Sequence, residues 1–527
     1  MKFLAGKWSF DSRDLLRSKC SHCTRVSVAR ELGVDGLQKL IDEYFVKPDS
    51  LAIRFGIRFE EDLENQLISS LGDRIQQPAS RSFEETQNLM DHGIPVIYQG
   101  VLRGGSGEID FSGRPDFLLR GDYRFEFTDQ GLTAVQTGSW QGGYTAWDAK
   151  LSSTAKPEYQ NQVGLYVDVL NQFGLASPNG HGLILGNHEL PTFSKEALLA
   201  QLFEDRNRYL DEVLGLIDNQ PRSLSDLGEL ICEASSYCDV CEYPELCRHM
   251  RVETNHLQLV FGITRTQIES LHRSGVKTVA QLAEFAGTTD KLSPEVLSKL
   301  RRQAALQQRG YDLGQPLVEI IDLEVLTQLP PENPGDIFFD IEGFTFGQPG
   351  GIEYLFGYTT IDNGEQFHWL WADTREQERE LFETFMVDVL GRLERNPGAK
   401  IYHYANYEQA ALKRLSQRHG IFENEVGQLI DEGVFVDLFN VVKKSLVISQ
   451  ESYSIKKLEN YYTFTRVSEV KEAMGSMEYY AQYLQAMEAA PEAAESLKRQ
   501  VIAYNQDDCA STLALVRWLR SLEDGNV

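Results

Sequence analysis

Apolar residues recur at helical spacing across residues 57–72 and again across 156–174. Residues 113–120, 143–152 and 181–187 are instead short runs dense in apolar and β-branched side chains, which predicts strands. Residues 255–310 read as helical throughout. The mixed pattern then restarts. Strands are predicted over 335–344, 353–360 and 366–373, a helix over 374–394, a strand over 399–405, and further helices after it. Residues 328–336, dense in Pro, Gly and Asn, read as the linker before that second block. The expected organisation is therefore an α/β multidomain chain with three parts: an α/β domain over 1–250, a helical domain over 251–330 and a second α/β domain over 331–527. A chain of 527 residues is too long for one ordinary core, which agrees with this division.

Composition changes the picture in two ways. Hydrophobic residues make up 42% and charged residues 24%, as in a globular protein. No apolar run is long enough to span a bilayer, and the first residues carry too short an apolar stretch for a signal peptide. A cytoplasmic protein with no membrane partner is the expectation. The charge is strongly acidic, with 51 Lys and Arg against 78 Asp and Glu, a net −27. Such a balance speaks against a broad basic surface for phosphates. It is compatible with carboxylates gathered around cations, each of which restores positive potential locally. No phosphate-binding loop of the GxxxxGK[ST] kind occurs, so no nucleotide-driven motor is indicated.

The first block carries one candidate constellation. Asp148 and Lys150 lie two apart on a predicted strand, so a carboxylate and an ammonium share a face. Asp116 follows Gly113 and Pro115 on another candidate strand. Gln162 and Tyr166, four apart on a predicted helix, also share a face, and Glu60 follows Gly56 at the start of an upstream helical stretch. An Asp-x-Lys pair alone is ordinary surface chemistry. The ordered set of Glu60, Asp116, Asp148 with Lys150, and Gln162 with Tyr166 is more specific. Over residues 10–250 it resembles the PD-(D/E)XK nucleases of the RecB branch. That resemblance implies a restriction-endonuclease-like core. Glu60, Asp116 and Asp148 would hold Mg²⁺ or Mn²⁺, Lys150 would orient water or stabilise charge, and Gln162 and Tyr166 would contact substrate. Many relatives have a histidine where this chain has Glu60. A carboxylate still suits a hard cation.

Six of seven cysteines fall in two clusters: Cys20 and Cys23 before the core, then Cys232, Cys238, Cys241 and Cys247 after it. An odd count in a chain expected inside the cell speaks for a metal site over a disulfide framework. One cysteine before the core and three after it resembles the iron–sulfur nucleases of the RecB branch. That implies a 4Fe–4S cluster on Cys20, Cys238, Cys241 and Cys247. Zinc is the alternative metal. Cys23 or Cys232 is the alternative fourth ligand. Cys509 is isolated and reads as a small core residue.

The second block carries another constellation. Asp340 and Glu342 share a face of an apolar strand, which is half of a two-metal site. Tyr504 and Asp508 are four apart on a predicted helix, and Glu408 lies at a strand-to-helix junction. Asp437 either contributes or caps local structure. Together these residues resemble DnaQ-like, RNase H-fold exonucleases of the DEDD type. That implies two metals on Asp340, Glu342, Glu408 and Asp508, with Tyr504 positioning the attacking water. Aspartate is usual where Glu408 stands. In the middle, residues 259–263 and 274–282 resemble helix-hairpin-helix repeats, whose glycine turns offer backbone N–H groups to phosphates.

The whole layout resembles RecB-like nucleases with a C-terminal RNase H-like domain. It implies a metal-dependent deoxyribonuclease with two sites, an exonuclease working on single strands or ends in DNA repair or recombination. Some of the wider group are joined to superfamily 1 helicases, which makes such a helicase a candidate partner. A binding scaffold with one degenerate site, or an RNA-directed nuclease, are the rival expectations.

Overall fold

The computed structural model describes the chain except residues 5–6, 18, 46–49, 179, 220–221, 223–233, 235, 347–349, 463, 469–472 and 523–527. It resolves into two compact units, Met1–Met250 and Arg251–Val527. The helical middle thus belongs to the same unit as the second α/β block.

In the first unit a six-stranded sheet runs in the order Thr192–Phe193, His181–Leu185, Tyr144–Lys150, Phe117–Arg120, Val96–Tyr98, Ile75–Gln76. Alternation along the strands sends side chains to two different helices. Leu118, Tyr144, Ala146, Leu183 and Leu185 pack with Val163, Tyr166, Val167 and Leu170 of helix Pro157–Gln172. Phe117, Leu119, Trp147 and Ile184 pack with Leu63 and Leu67 of helix Leu51–Leu71. Each fully buried Leu of this kind contributes about 2 kcal/mol. Helix Pro157–Gln172 joins Tyr144–Lys150 to the parallel strand His181–Leu185 as a crossover. A four-stranded sheet and the hairpin Tyr123–Thr128/Gly131–Gln136 complete the strands.

The structure differs from the sequence reading at two points here. Glu60 lies in the middle of helix Leu51–Leu71, not at a helix start, because the Ser50 hydroxyl accepts from Ile53 N at 3.3 Å and begins the helix earlier. Asp116 lies in a bend just before strand Phe117–Arg120. Pro115 has no N–H to give to a ladder, so the strand cannot begin before it.

The second unit is built on a five-stranded sheet in the order Gln366–Trp371, Ile352–Thr360, Ile337–Phe344, Ile401–His403, Phe435–Asp437. The first three strands are antiparallel, and the last two run parallel to the central one. Phe339 stacks on Phe385 of helix Arg375–Arg395, 4.4 Å between centroids. Phe338, from the opposite face, shares a core with Leu515 and Leu519 of helix Pro491–Ser521. Ahead of the sheet, helices Arg265–Arg273, Val279–Glu284 and Pro294–Leu313 enclose Leu257, Ile268, Leu271, Leu282 and Leu300. Gly275, at φ +81°, turns the first of these helices into the second, a conformation L side chains rarely adopt. Residues 285–293 are not helical, against the expectation of a helix throughout. Ser293 caps and Pro294 opens the next helix, which explains the interruption. Gln303 donates to Ile448 O at 2.9 Å and accepts from the Tyr453 hydroxyl at 2.7 Å, so these helices are hydrogen-bonded to the sheet domain. Among the described residues, no helix is long and apolar enough to cross a membrane.

Candidate active sites

Strand Ile337–Phe344 is rich in β-branched and aromatic residues, and its alternation puts Asp340 and Glu342 on one face. Helix Pro491–Ser521 presents Tyr504, Asn505 and Asp508 to that face. The close approach needs a glycine opposite. A Cβ at Gly357, which pairs with Asp340 across the sheet, would lie 1.5 Å from Asn505 Oδ1. Asp340, Glu342 and Asp508 bring one ligand atom each to within 4.8 Å of one another, the one such His, Cys, Asp or Glu group among the described residues.

Each carboxylate has a partner that fixes its orientation. Asn505 Nδ2 donates to Asp340 Oδ2 at 2.6 Å, the Ser476 hydroxyl to Glu342 Oε2 at 2.7 Å, and Arg466 Nη2 to Asp508 Oδ1 at 2.6 Å. Burial, then Asp508 and Glu342, hold Asp340 well above the usual carboxylate range. Burial and Asp508 push Glu342 up to about 8. Burial also raises Asp508, although Arg466 pulls the other way. Buried and half-buried carboxylates crowded against one another are relieved by a cation, so this donor set fits a hard divalent ion.

The other residues read from sequence here are placed nearby. Tyr504 is buried, and Lys456 Nζ lies 4.8 Å from its ring centre. Glu408 is buried at the start of helix Tyr407–His419. Its Oε2 faces His403 Nδ1 at 3.2 Å, and Glu408 is not one of the three gathered carboxylates. Asp437 caps helix Leu438–Ser445, accepting from Phe439 N at 3.0 Å and Asn440 N at 3.4 Å. Cys509 is a buried core residue whose thiol donates to Gly357 O at 3.1 Å. Sequence reasoning missed Asn505, Ser476 and Arg466. Asn505 is three residues before Asp508 on the same helix, a spacing that shares a face and was legible. Ser476 and Arg466 reach the site from other segments, with no local signal.

In the first unit, strand Tyr144–Lys150 puts Asp148 and Lys150 together, and the Lys150 ammonium donates to Asp148 Oδ2. Asp116 Oδ2 accepts from Ala149 N at 2.7 Å, and Asp116 N lies 3.4 Å from Asp148 Oδ1. Burial, then Asp148, raise Asp116 well above the usual range; Lys150 opposes this and Glu60 adds to it. Burial lowers Lys150, but Asp148 and Asp116 more than offset that, so the ammonium is held firmly charged. Gln162 Nε2 donates to the Tyr166 hydroxyl at 2.8 Å, which donates to Arg114 O at 3.3 Å. A Cβ at Gly113 would meet Tyr166 Cε1 at 2.4 Å, so only glycine lets the tyrosine lie there. Glu60 Oε1 accepts from the Tyr98 hydroxyl at 3.1 Å and Gln99 Nε2 at 2.6 Å.

Four of the clustered cysteines meet in one core. Cys20, Cys23, Cys241 and Cys247 pack with Val26, Ala29 and Leu246. Cys23 Sγ lies 3.2 Å from Cys241 Sγ, and Cys20 Sγ accepts from Cys23 N at 3.5 Å. The contact with Cys23 lowers Cys20 to about 6. Cys241 Sγ accepts from Tyr243 N at 3.3 Å, and Cys238 lies on the short helix Ser236–Val240. Cys232 lies outside the described residues.

Residues 337–520 match the family model of the RNase_H superfamily, about a third of the chain. The matched segment begins on strand Ile337–Phe344 and ends on helix Pro491–Ser521, the two elements that carry Asp340, Glu342 and Asp508. The C-terminal domain is therefore RNase H-like, which points to nuclease chemistry on nucleic acid. No curated protein and no solved structure matches the chain.

Proposed function

We propose that the chain is a metal-dependent nuclease whose working site is formed by Asp340, Glu342 and Asp508. The observation that carries this is the convergence of these three carboxylates inside the segment that matches the RNase_H superfamily. A divalent cation held there would polarise a phosphoryl oxygen and lower the pKa of bound water. Asn505 and Ser476 orient two of the carboxylates. Tyr504, beside Asp508, would position a water. Glu408, whose carboxylate faces His403, is the proposed fourth acidic group and would help hold a second cation.

A second site is proposed on Asp116, Asp148 and Lys150, with Glu60 as a further ligand and Gln162 and Tyr166 as substrate contacts. The Lys150–Asp148 contact beside Asp116 favours the PD-(D/E)XK-like reading. The cysteine core supports a thiolate metal site, with a 4Fe–4S cluster as the first reading and zinc as the second. Its ligands would come from Cys20, Cys23, Cys238, Cys241 and Cys247. The finer reading is cleavage of single-stranded DNA or DNA ends in repair or recombination, alongside a superfamily 1 helicase. It rests on resemblance alone.

Purified chain would be given single-stranded DNA, duplex DNA and RNA with Mg²⁺ or Mn²⁺. Metal-dependent cleavage of any of these, lost in the Asp340→Ala chain, is expected. No cleavage of any substrate by wild type, with strand binding retained, would favour a binding scaffold.

A further inference from the structure

The least expected feature of the second unit is an arginine on a candidate metal ligand. Arg466 lies outside any helix or strand. Its Nη2 donates to Asp508 Oδ1 at 2.6 Å and to Glu459 Oε1 at 2.7 Å, and its Nε lies 3.2 and 3.1 Å from the two Glu459 oxygens. Glu459 is held in turn by the Ser511 hydroxyl at 2.7 Å, and Ser511 by the Tyr462 hydroxyl at 3.0 Å. The next two residues are fixed as well, because Val467 N and Ser468 N donate to Asp507 at 3.0 and 2.8 Å. The guanidinium also lies 5.6 Å from the centre of the Tyr504 ring. Its Nη1 is buried and makes no hydrogen bond among the described residues.

Two carboxylates therefore hold one guanidinium, and they do different things. Glu459 is locked to the helix that carries Asp508 and fixes the arm. Asp508 is one of three acidic groups pushed together, and Arg466 supplies a positive charge that a cation would replace. A guanidinium fork matches a phosphate as well as it matches a carboxylate. We propose that Arg466 is a phosphate-contacting residue of this site, held on Asp508 until a divalent cation claims that carboxylate. Glu459 keeps it within reach of the strand being cut. Arg466 thus competes with the cation in the absence of substrate and binds the substrate phosphate once the cation is in place. This rests on the reading of Asp340, Glu342 and Asp508 as a metal site.

The test uses the full chain carrying Asp116→Ala, so that the first-unit site is disabled. Mn²⁺ binding is read from the electron paramagnetic resonance of the free ion. Binding of a short single-stranded thymidine oligonucleotide is read by fluorescence anisotropy in Ca²⁺. Arg466→Gln should bind Mn²⁺ roughly tenfold tighter and the oligonucleotide roughly tenfold weaker, the size of one charge-assisted hydrogen bond. A purely structural arginine would not move the two affinities in opposite directions. Arg466→Lys, which keeps the charge and loses the fork, should still weaken the oligonucleotide several-fold, and it decides the matter if the glutamine chain does not fold. Variants that melt and bind both probes like the parent would overturn the proposal. Asp340→Asn in the same background separates the two levels. If it leaves Mn²⁺ binding intact, the metal-site reading itself fails. If it abolishes Mn²⁺ binding while the Arg466 variants behave as the parent, only the role of Arg466 fails.

Discussion

Each unit sets an acidic residue on a strand of its main sheet and brings others to it from neighbouring segments, but the two balance the resulting charge differently. In the first, Lys150 lies on the same strand face as Asp148 and is in contact with it. In the second, Asp340, Glu342 and Asp508 meet with no lysine on their strand, and the counter-charge comes from other segments, from Arg466 in contact with Asp508 and from Lys456. A cation fixed two residues from its carboxylate is permanent and pre-organised. One that arrives from a separate segment can be exchanged. The first arrangement suits a site whose positive charge stays beside the phosphate, and the second a site that must first take up metal.

That contrast breaks first at Asp340. Asp340→Ala removes one of three gathered carboxylates, and loss of the cation costs several kcal/mol of charge stabilisation. Metal-dependent cleavage by the second unit, measured in the Asp116→Ala background, should fall on the order of a thousandfold. Unchanged cleavage would mean that the second unit is not the source of activity. Lys150→Ala, assayed in the Asp340→Ala background, should reduce cleavage by roughly a hundredfold while metal binding persists, since only a fixed charge is lost. Loss of metal binding in that chain would instead make Lys150 a structural support of the acidic pair.

A smaller effect concerns pH. Glu342 is raised to about 8 in the folded chain, against an ordinary 4.5, first by burial and then by Asp508. A raised carboxyl means that the folded state binds more protons, so its contribution to stability is present below the ordinary value and is lost as pH rises toward 8. In metal-free protein, Glu342→Gln should therefore gain melting temperature relative to wild type as pH rises through this window, and added Mg²⁺ should reverse the order. A difference independent of pH would show that Glu342 is not in that environment. The smallest effect is at Asp437. Asp437→Ala removes a helix cap and should cost about 1 kcal/mol of unfolding free energy with cleavage retained; a large loss of cleavage would return Asp437 to the site.

Much of this is legible in the sequence, for a definable reason. Asp340 with Glu342, Asp148 with Lys150, and Tyr504 with Asp508 are pairs whose spacing matches the period of their element, so each shared face follows from the sequence. The strands around them were legible because their cores are short runs of aromatic and β-branched residues. What was not legible depends on contacts between distant segments. Arg466 on Asp508 and Ser476 on Glu342 leave no periodic trace. Glu408 is a metal ligand only by the resemblance to DEDD exonucleases, and the residue its carboxylate faces is His403, five residues earlier, a contact that spacing does not reveal. Cys23 illustrates the same limit. Spacing left the fourth thiol open, and packing brings Cys23 against Cys241.

The most direct test of the carboxylate triad as the metal site is anomalous diffraction from crystals of the full chain soaked in Mn²⁺. The expected result is a manganese peak within coordination distance of Asp340, Glu342 and Asp508, with the Arg466 guanidinium moved off Asp508. Manganese bound only beside Asp116 and Asp148, or no peak near Glu342 at any concentration that supports cleavage, would contradict it.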